Sequence, residues 1–334
     1  MPVTSELSGI RRLAYEGAVD ADGHVLEPPD LWERYLEARF RDRALRIVHD
    51  DDGLEELEIG GQRSAVSTKG MPSLLGVMGA PDLMTIALDP SRTYVSEASY
   101  GSMDATERLR LLDAEGLDAA VLYPTLGLLW EAELDDAELS QAYTRAYNRW
   151  ICEFCAGSNG RLIPTAHLSL TDPEAAADWT GARLQLMETV RGPDGVRHQF
   201  AACFDLGLFE RFPRLRLLIL ESGGSWVGHY LDRMDAVFEH TPIYAGPALK
   251  EKPSDYFREH CWVSCDPDEH TLAPLIERYG ADRFLWASDY PHADHSADYL
   301  QDLENLAAAL PDHDRRQFLG DNVRALFSIE GRRA

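Results

Sequence analysis

The stretch "FLWASDYPHADHS" (284–296) decides how this chain folds. Phe284-Leu285-Trp286-Ala287 is a short apolar run of the kind that forms a buried strand. It ends on Ser288-Asp289, and a proline and two imidazoles, His292 and His295, follow. An acid at the end of one buried strand could simply cap the next helix. The same arrangement recurs elsewhere in the chain, and the recurrence carries the argument.

Five more short runs, rich in Val, Ile and Leu and without strict alternation, predict strands buried on both faces. They are "GAVDADGHV" (17–25), "DAAVLYPT" (118–125), "RLIPTAHLSL" (161–170), "LRLLILES" (215–222) and "CWVSCD" (261–266). Helical patterns separate them. "DATERLRLLDAEG" opens on Asp104 with Glu107 three residues on, a capping-box spacing, and closes at Gly116. "DPEAAADW" (172–179) offers Asp172 as N-cap and Pro173 at the first helical position. Strands alternating with helices predict a parallel α/β architecture. Residues 41–100, with scattered Gly, Pro, Ser and Asp, interrupt the rhythm and read as an insertion after the first strand. In a barrel such an insertion emerges on the face formed by the C-terminal strand ends, where it would act as a lid.

Ionisable residues gather at those strand ends. The first run carries Asp20, Asp22 and His24, with Glu27 just beyond. Asp22 and His24 are two apart, so an extended strand points them to one side. The third run carries His167, the fourth ends at Glu221, the fifth at Asp266 and the last at Asp289. In a parallel barrel these ends converge on one face. Carboxylates and imidazoles collected there suit a divalent ion such as Zn²⁺ or Mn²⁺. Asp20 alone could cap a turn, and Glu27 before Pro28-Pro29 could be a solvated loop acid or a substrate contact. His292 is the better substrate contact of the two histidines after Asp289. His49, His240, His260, His270 and His313 have no such context and read as surface or structural.

Composition narrows the partners. The 334 residues are 45% hydrophobic and 27% charged, ordinary for a globular protein, and the net charge of -25 argues against nucleic acid and anionic membrane. The five cysteines are an odd number at loose spacings, which fits a reducing cytoplasm better than a disulfide framework. Cys152-Glu-Phe-Cys155 has CxxC spacing, but it lies in a helical pattern with no second pair nearby, so buried helix thiols are the simpler reading. No run reaches the roughly 18 apolar residues of a membrane helix.

Taken together, "DADGHVLEPPDLWERYL", "RLIPTAHLSLTDPEAA", "FERFPRLRLLILESGGSWVGHYLDRMD", "PSDYFREHCWVSCDPDE", "ADRFLWASDYPHADH" and "LGDNVRALF" resemble the amidohydrolase-related branch of the amidohydrolase superfamily, the branch that includes aminocarboxymuconate-semialdehyde decarboxylase. The resemblance implies a TIM-barrel-like (β/α)8 domain over 1–334, with 41–100 as a lid over its C-terminal face. It implies one metal at that face, held through Asp22, His24, His167 and Asp289, with Asp289 also moving a proton. The family's first-strand motif is often His-x-His; here Asp22 takes the first place. Its strand-six histidine is replaced by Glu221. The middle of the chain departs further. About twenty residues lie between the third-strand helix and the helix before strand six, whereas two βα units need on the order of sixty. A shortened or distorted region at about 179–200 follows, with "RLQLMETV" (183–190) as one replacement strand and His198 as the nearest stand-in for a missing ligand. Strand edges left open by the missing units would favour a homodimer or higher homo-oligomer.

Three functions are compatible with these residues. The first is a metal-dependent hydrolase or non-oxidative decarboxylase acting on a small carboxylated or aromatic metabolite. In it Asp289, His292 and Glu221 are the catalytic candidates, and Glu27, His292 and Trp286 the substrate contacts. The second is a metal-free acid/base enzyme on the same scaffold, a cyclase, dehydratase or isomerase. The third is a non-catalytic subunit with a degenerate barrel, for which the joint presence of Asp22, His24 and Asp289 has no chemical reason.

Overall fold

The computed structural model describes residues 7, 9–80, 82–169, 183–186, 193–240, 249–293 and 295–329, excepting the side chains at 84, 132, 183–186, 193 and 194. The chain divides into two compact units. The first comprises Met1–Trp179, Ser288–Gln301 and Arg332–Ala334, and the second Thr180–Ala287 and Asp302–Gly331.

In the first unit β1 (Val19–Val25) pairs in parallel with β5 (Ala119–Pro124), and β5 with β6 (Leu162–Pro164). Every residue of β1 and of β5 is buried, as expected of strands covered on both faces. The register of β1 against β5 shifts between Asp20 and Gly23, where a bulge re-aims the polar residues. Of the helices, α1 (Leu31–Tyr35) and α2 (Leu83–Ala87) are short, and α3 (Ala105–Glu115) and α4 (Ala137–Cys155) are long. Asp104 caps α3 by accepting the Glu107 amide. Glu107 does not return the bond to Asp104; its carboxylate takes the Gly101 amide at 3.4 Å. Along α4 the apolar face seats Tyr143 and Tyr147 against Trp130 and Trp32. Trp32 meets Trp130 edge-on at 5.1 Å and Tyr143 at 5.0 Å. Cys155 is buried on that face and Cys152 is exposed; all five thiols are free.

The insertion at 41–100 holds an antiparallel sheet of β2 (Arg46–His49), β3 (Glu55–Ile59) and β4 (Gln62–Arg63), which the sequence pattern does not reveal. The cause is Glu55. It sits on the inward face of β3 with Leu57 and Ile59, and burial is tolerated because its carboxylate accepts the Tyr94 amide at 2.6 Å.

In the second unit β7 (Arg183–Leu186), β8 (Arg216–Ile219), β9 (Cys261–Cys265) and β10 (Phe284–Trp286) form a parallel sheet in the order β10-β9-β8-β7. Its helices include α5 (Pro193–Asp205), α6 (Leu208–Arg211), α7 (Trp226–His240), α8 (Pro253–His260) and α9 (Leu272–Tyr279). Phe200 joins Phe204, Trp226 and Phe257 in edge-on aromatic contacts that form this unit's core. Of the middle region expected to be shortened, Arg183–Leu186 is a strand and His198 is exposed on α5; residues 187–190 and the helix expected at 172–179 lie outside the described residues. Among the described residues no helix is long and apolar enough to cross a membrane.

Candidate metal centre

Asp22 and His24 leave the bulged part of β1 toward the same place. The His24 ring sets Nδ1 against the Pro124 carbonyl at 2.9 Å. A carbonyl only accepts, so Nδ1 carries the proton and Nε2 is left with its lone pair. That lone pair faces Asp22 Oδ1 at 3.4 Å and Asp289 Oδ1 at 3.1 Å. Three electron-rich atoms converging inside a buried space repel one another unless a cation lies among them. It is either a proton, on the ring or on a facing carboxyl, or a metal ion. The donor set, two carboxylates and an imidazole whose far nitrogen is fixed by a backbone carbonyl, is the kind that holds Zn²⁺ or Mn²⁺. The candidate ligand atoms of His24, Asp289 and His292 all lie within 4.8 Å of one another.

Asp289 is held where the strand expectation would not put it. It adopts φ 52°, a left-handed conformation that Asp tolerates better than most residues. Its amide donates to the Asp22 carbonyl at 2.9 Å, and the Tyr290 carbonyl in turn accepts the His24 amide at 2.8 Å. These two backbone bonds dock the 289–290 turn onto β1. Around the carboxylate stand three imidazoles: His24, His292 Nδ1 at 2.9 Å from Oδ1, and His295 Nε2 at 3.0 Å from Oδ2. Burial pushes the carboxyl pKa up, but the facing His292, with His24 and His295, overcomes it and holds the group well below the usual range. The His292 ring lies 4.0 Å from the His24 ring and sets Nε2 against Thr125 Oγ1 at 3.0 Å.

The other expected site residues are placed differently. Glu27 is fully buried and turned toward the backbone, accepting the amides of Thr125 at 3.3 Å, Leu126 at 3.0 Å and Gly127 at 2.9 Å. Desolvation raises its pKa and those amides oppose the rise. The geometry makes it the anchor of the turn that carries Thr125. Trp286 is fully buried on β10 and donates its indole N–H to the Leu319 carbonyl at 2.9 Å, so its one polar atom is already satisfied within the core. His167, past the end of β6, is held against α4, with Nδ1 at 3.1 Å from Thr144 Oγ1 and its backbone clamped by both ends of the Asn148 amide. It packs 4.6 Å from the Trp130 ring, and desolvation lowers its pKa to about 4. It is not among the described residues whose ligand atoms converge. Glu221 lies in the second unit, past the end of β8, and like Asp289 has a left-handed φ, 50°.

Two residues engage this cluster in ways the sequence does not settle. His292 and His295 both reach Asp289, although the sequence favours His292 as the contact. Asp20, read as a turn cap, is buried and accepts from Ser288. The available signal was its position: an acid on a strand with no exposed residue must face polar partners.

The amidohydrolase family pattern matches residues 199–329. No curated protein matches the chain. Among solved structures, an amidohydrolase from Mycobacterium avium subsp. paratuberculosis K-10 superposes with a TM-score of 0.77 at 20% identity, covering 93% of this chain and 99% of that one. The 5-carboxyvanillate decarboxylase of Sphingomonas paucimobilis gives 0.61 at 20% identity, over 95% and 100%. A dihydroxybenzoic acid decarboxylase from Polaromonas sp. JS666, with bound manganese and 2-nitroresorcinol, gives 0.59 at 19% identity, over 94% and 97%. The likeness is one of fold, and it agrees with the resemblance drawn from the sequence motifs.

Proposed function

We propose that this chain, an amidohydrolase relative over residues 199–329, is a metal-dependent enzyme that removes a carboxylate from a small aromatic metabolite without oxidation. The observation that carries the reading is the His24 tautomer. With Nδ1–H given to Pro124, Nε2 and two carboxylate oxygens need a cation among them. Asp22, His24 and Asp289 would hold one divalent ion, Zn²⁺ or Mn²⁺. When bound, it would supply Lewis-acid charge to the substrate carboxylate and a neighbouring oxygen.

The remaining chemistry belongs to side chains on the page. As the carbon–carboxylate bond breaks, its electron pair stays on the ring carbon and carbon dioxide leaves. That carbon takes a proton from the Asp289–His292 pair, which solvent then reprotonates. Thr125, facing His292 Nε2, fixes which way the ring points. The solved relatives whose names include decarboxylation favour this reading over amide hydrolysis, in which Asp289 would take a proton from water instead. The proposal carries with it the (β/α)8 barrel, the lid role of 41–100, a cytoplasmic setting for the free thiols and a homodimer or larger homo-oligomer.

The test is metal content per chain by elemental mass spectrometry, on protein purified without chelator, followed by carbon dioxide release from 2,6-dihydroxybenzoate and 5-carboxyvanillate. About one Zn²⁺ or Mn²⁺ per chain, lost in His24→Ala, supports the proposal. A chain that takes up no metal on reconstitution leaves His24 as an imidazolium and turns the reading to metal-free acid/base chemistry.

A further inference from the structure

Asp20 joins the two backbone stretches that carry the candidate ligands. Its Oδ1 accepts the Ser288 amide at 3.0 Å and the Asp22 amide at 3.2 Å, and its Oδ2 accepts the Ser288 hydroxyl at 2.6 Å. One partner is the backbone of Asp22 itself; the other is the residue just before Asp289. Arg108 on α3, equally buried, supplies the opposing charge. It also lies 4.8 Å from the ring of Tyr290, the residue just after Asp289. Space between these groups is filled. A Cβ on Gly23 would come within 2.6 Å of Asp20 Oδ2 and 2.7 Å of Arg108 Nη2. Asp22 and Asp289 are otherwise 267 positions apart in the chain, and they arrive on different backbone segments.

We infer that Asp20 is a positioning residue that locks β1 to the 288–290 turn, so that Asp22 and Asp289 are presented as one rigid pair. The inference rests on the proposed metal-dependent function for its consequence, but the lock itself is a property of the chain alone. A buried carboxylate accepting three donors tolerates little displacement of any of them. Groups of this kind behind metal ligands typically change affinity by about 10–100-fold when altered.

The experiment is hydrogen exchange read by mass spectrometry on the metal-free full chain, comparing wild type with Asp20→Asn and Ser288→Ala. Asn keeps the shape but turns an N–H toward groups that are themselves donors. Ser288→Ala removes one hydroxyl and leaves Asp20 in place. Peptides covering 19–25 and 284–293 should exchange about tenfold faster in Asp20→Asn and by a smaller factor in Ser288→Ala. Peptides covering β8 should not change. Isothermal titration with Mn²⁺ should then show affinity weakened about 10–100-fold in Asp20→Asn, with the melting temperature of Ser288→Ala close to wild type. Unchanged exchange at both stretches overturns the inference, as does loosening spread evenly over the chain. If Asp20→Asn does not fold, Ser288→Ala decides alone, and unchanged local exchange in it overturns the lock. A wild-type chain that binds no Mn²⁺ removes the proposed function, while the exchange data still decide the role of Asp20.

Discussion

Glu27 and Asp289 are both buried carboxylates set just past the ends of strands, and the two serve opposite ends. Glu27 faces three backbone amides in a row, Thr125, Leu126 and Gly127. Asp289 faces three imidazoles, His24, His292 and His295. Amides cannot exchange their protons usefully, so the geometry makes Glu27 an anchor. Imidazoles can, and for that reason the proposed function puts its chemistry at Asp289. On that reading, what separates a structural acid from a reactive one is the kind of donor around it; depth of burial does not.

The comparison can be broken at either member. The largest effect is expected at Asp289→Asn, which removes a proton carrier and a ligand together. Turnover should fall by at least about 10²–10⁴-fold, with the thermal melt little changed; a variant that keeps wild-type turnover would end the assignment. Glu27→Ala should instead act on stability. Three buried amides lose their acceptor at about 1–3 kcal/mol each, so a loss of roughly 3 kcal/mol or more is expected by urea denaturation, with metal content per folded chain unchanged. If Glu27 were a substrate contact, the Michaelis constant would rise and the denaturation midpoint would not move.

A third buried acid sharpens the contrast by pH. Glu115 on α3 accepts from the Tyr299 hydroxyl, and burial pushes its pKa from the ordinary 4.5 up to about 7. The folded protein therefore binds this proton more tightly than the unfolded chain does. The stability this confers is complete below pH 4.5 and is lost as pH rises through about 7. The change is on the order of 3 kcal/mol, and it should vanish from the pH dependence of the denaturation midpoint in Glu115→Gln. The smallest effect is expected at His295→Gln. It removes one of three partners of Asp289 and should lower turnover by roughly three- to tenfold, about 1 kcal/mol. A loss as large as that of Asp289→Asn would make His295 the proton carrier in place of His292.

Much of the fold was legible because the six runs are short, rich in Val, Ile, Leu and Ala and separated by helical patterns, and all six contain strands. The sheet β2–β4 was not, since Glu55 occupies an inward place on β3 and spoils the alternation. The convergence of Asp22, His24 and Asp289 was legible from spacing and from strand ends. The contacts of Glu27 and Trp286 were not, because the partners that engage them, the amides of 125–127 and the Leu319 carbonyl, are backbone groups with no signature in side-chain identity. The long-range contact of Asp20 was hidden for a related reason. Its partner Ser288 is 268 residues away, and only the folded chain brings them together.

The insertion at 41–100 is not a detachable accessory. The Met78 amide donates to the Pro291 carbonyl at 3.1 Å, and a Cβ on Gly79 would stand 2.4 Å from the Ala297 methyl. Surface segments of this kind are commonly the parts exchanged when one scaffold acquires a new task. Here the exchange has a fixed minimum size. A graft of the insertion from a relative must bring residues 290–297 with it, or leave the loop behind Asp289 pressed against a surface shaped for another neighbour. Modularity in this protein is therefore a property of the pair of segments, and the unit of inheritance is larger than the loop.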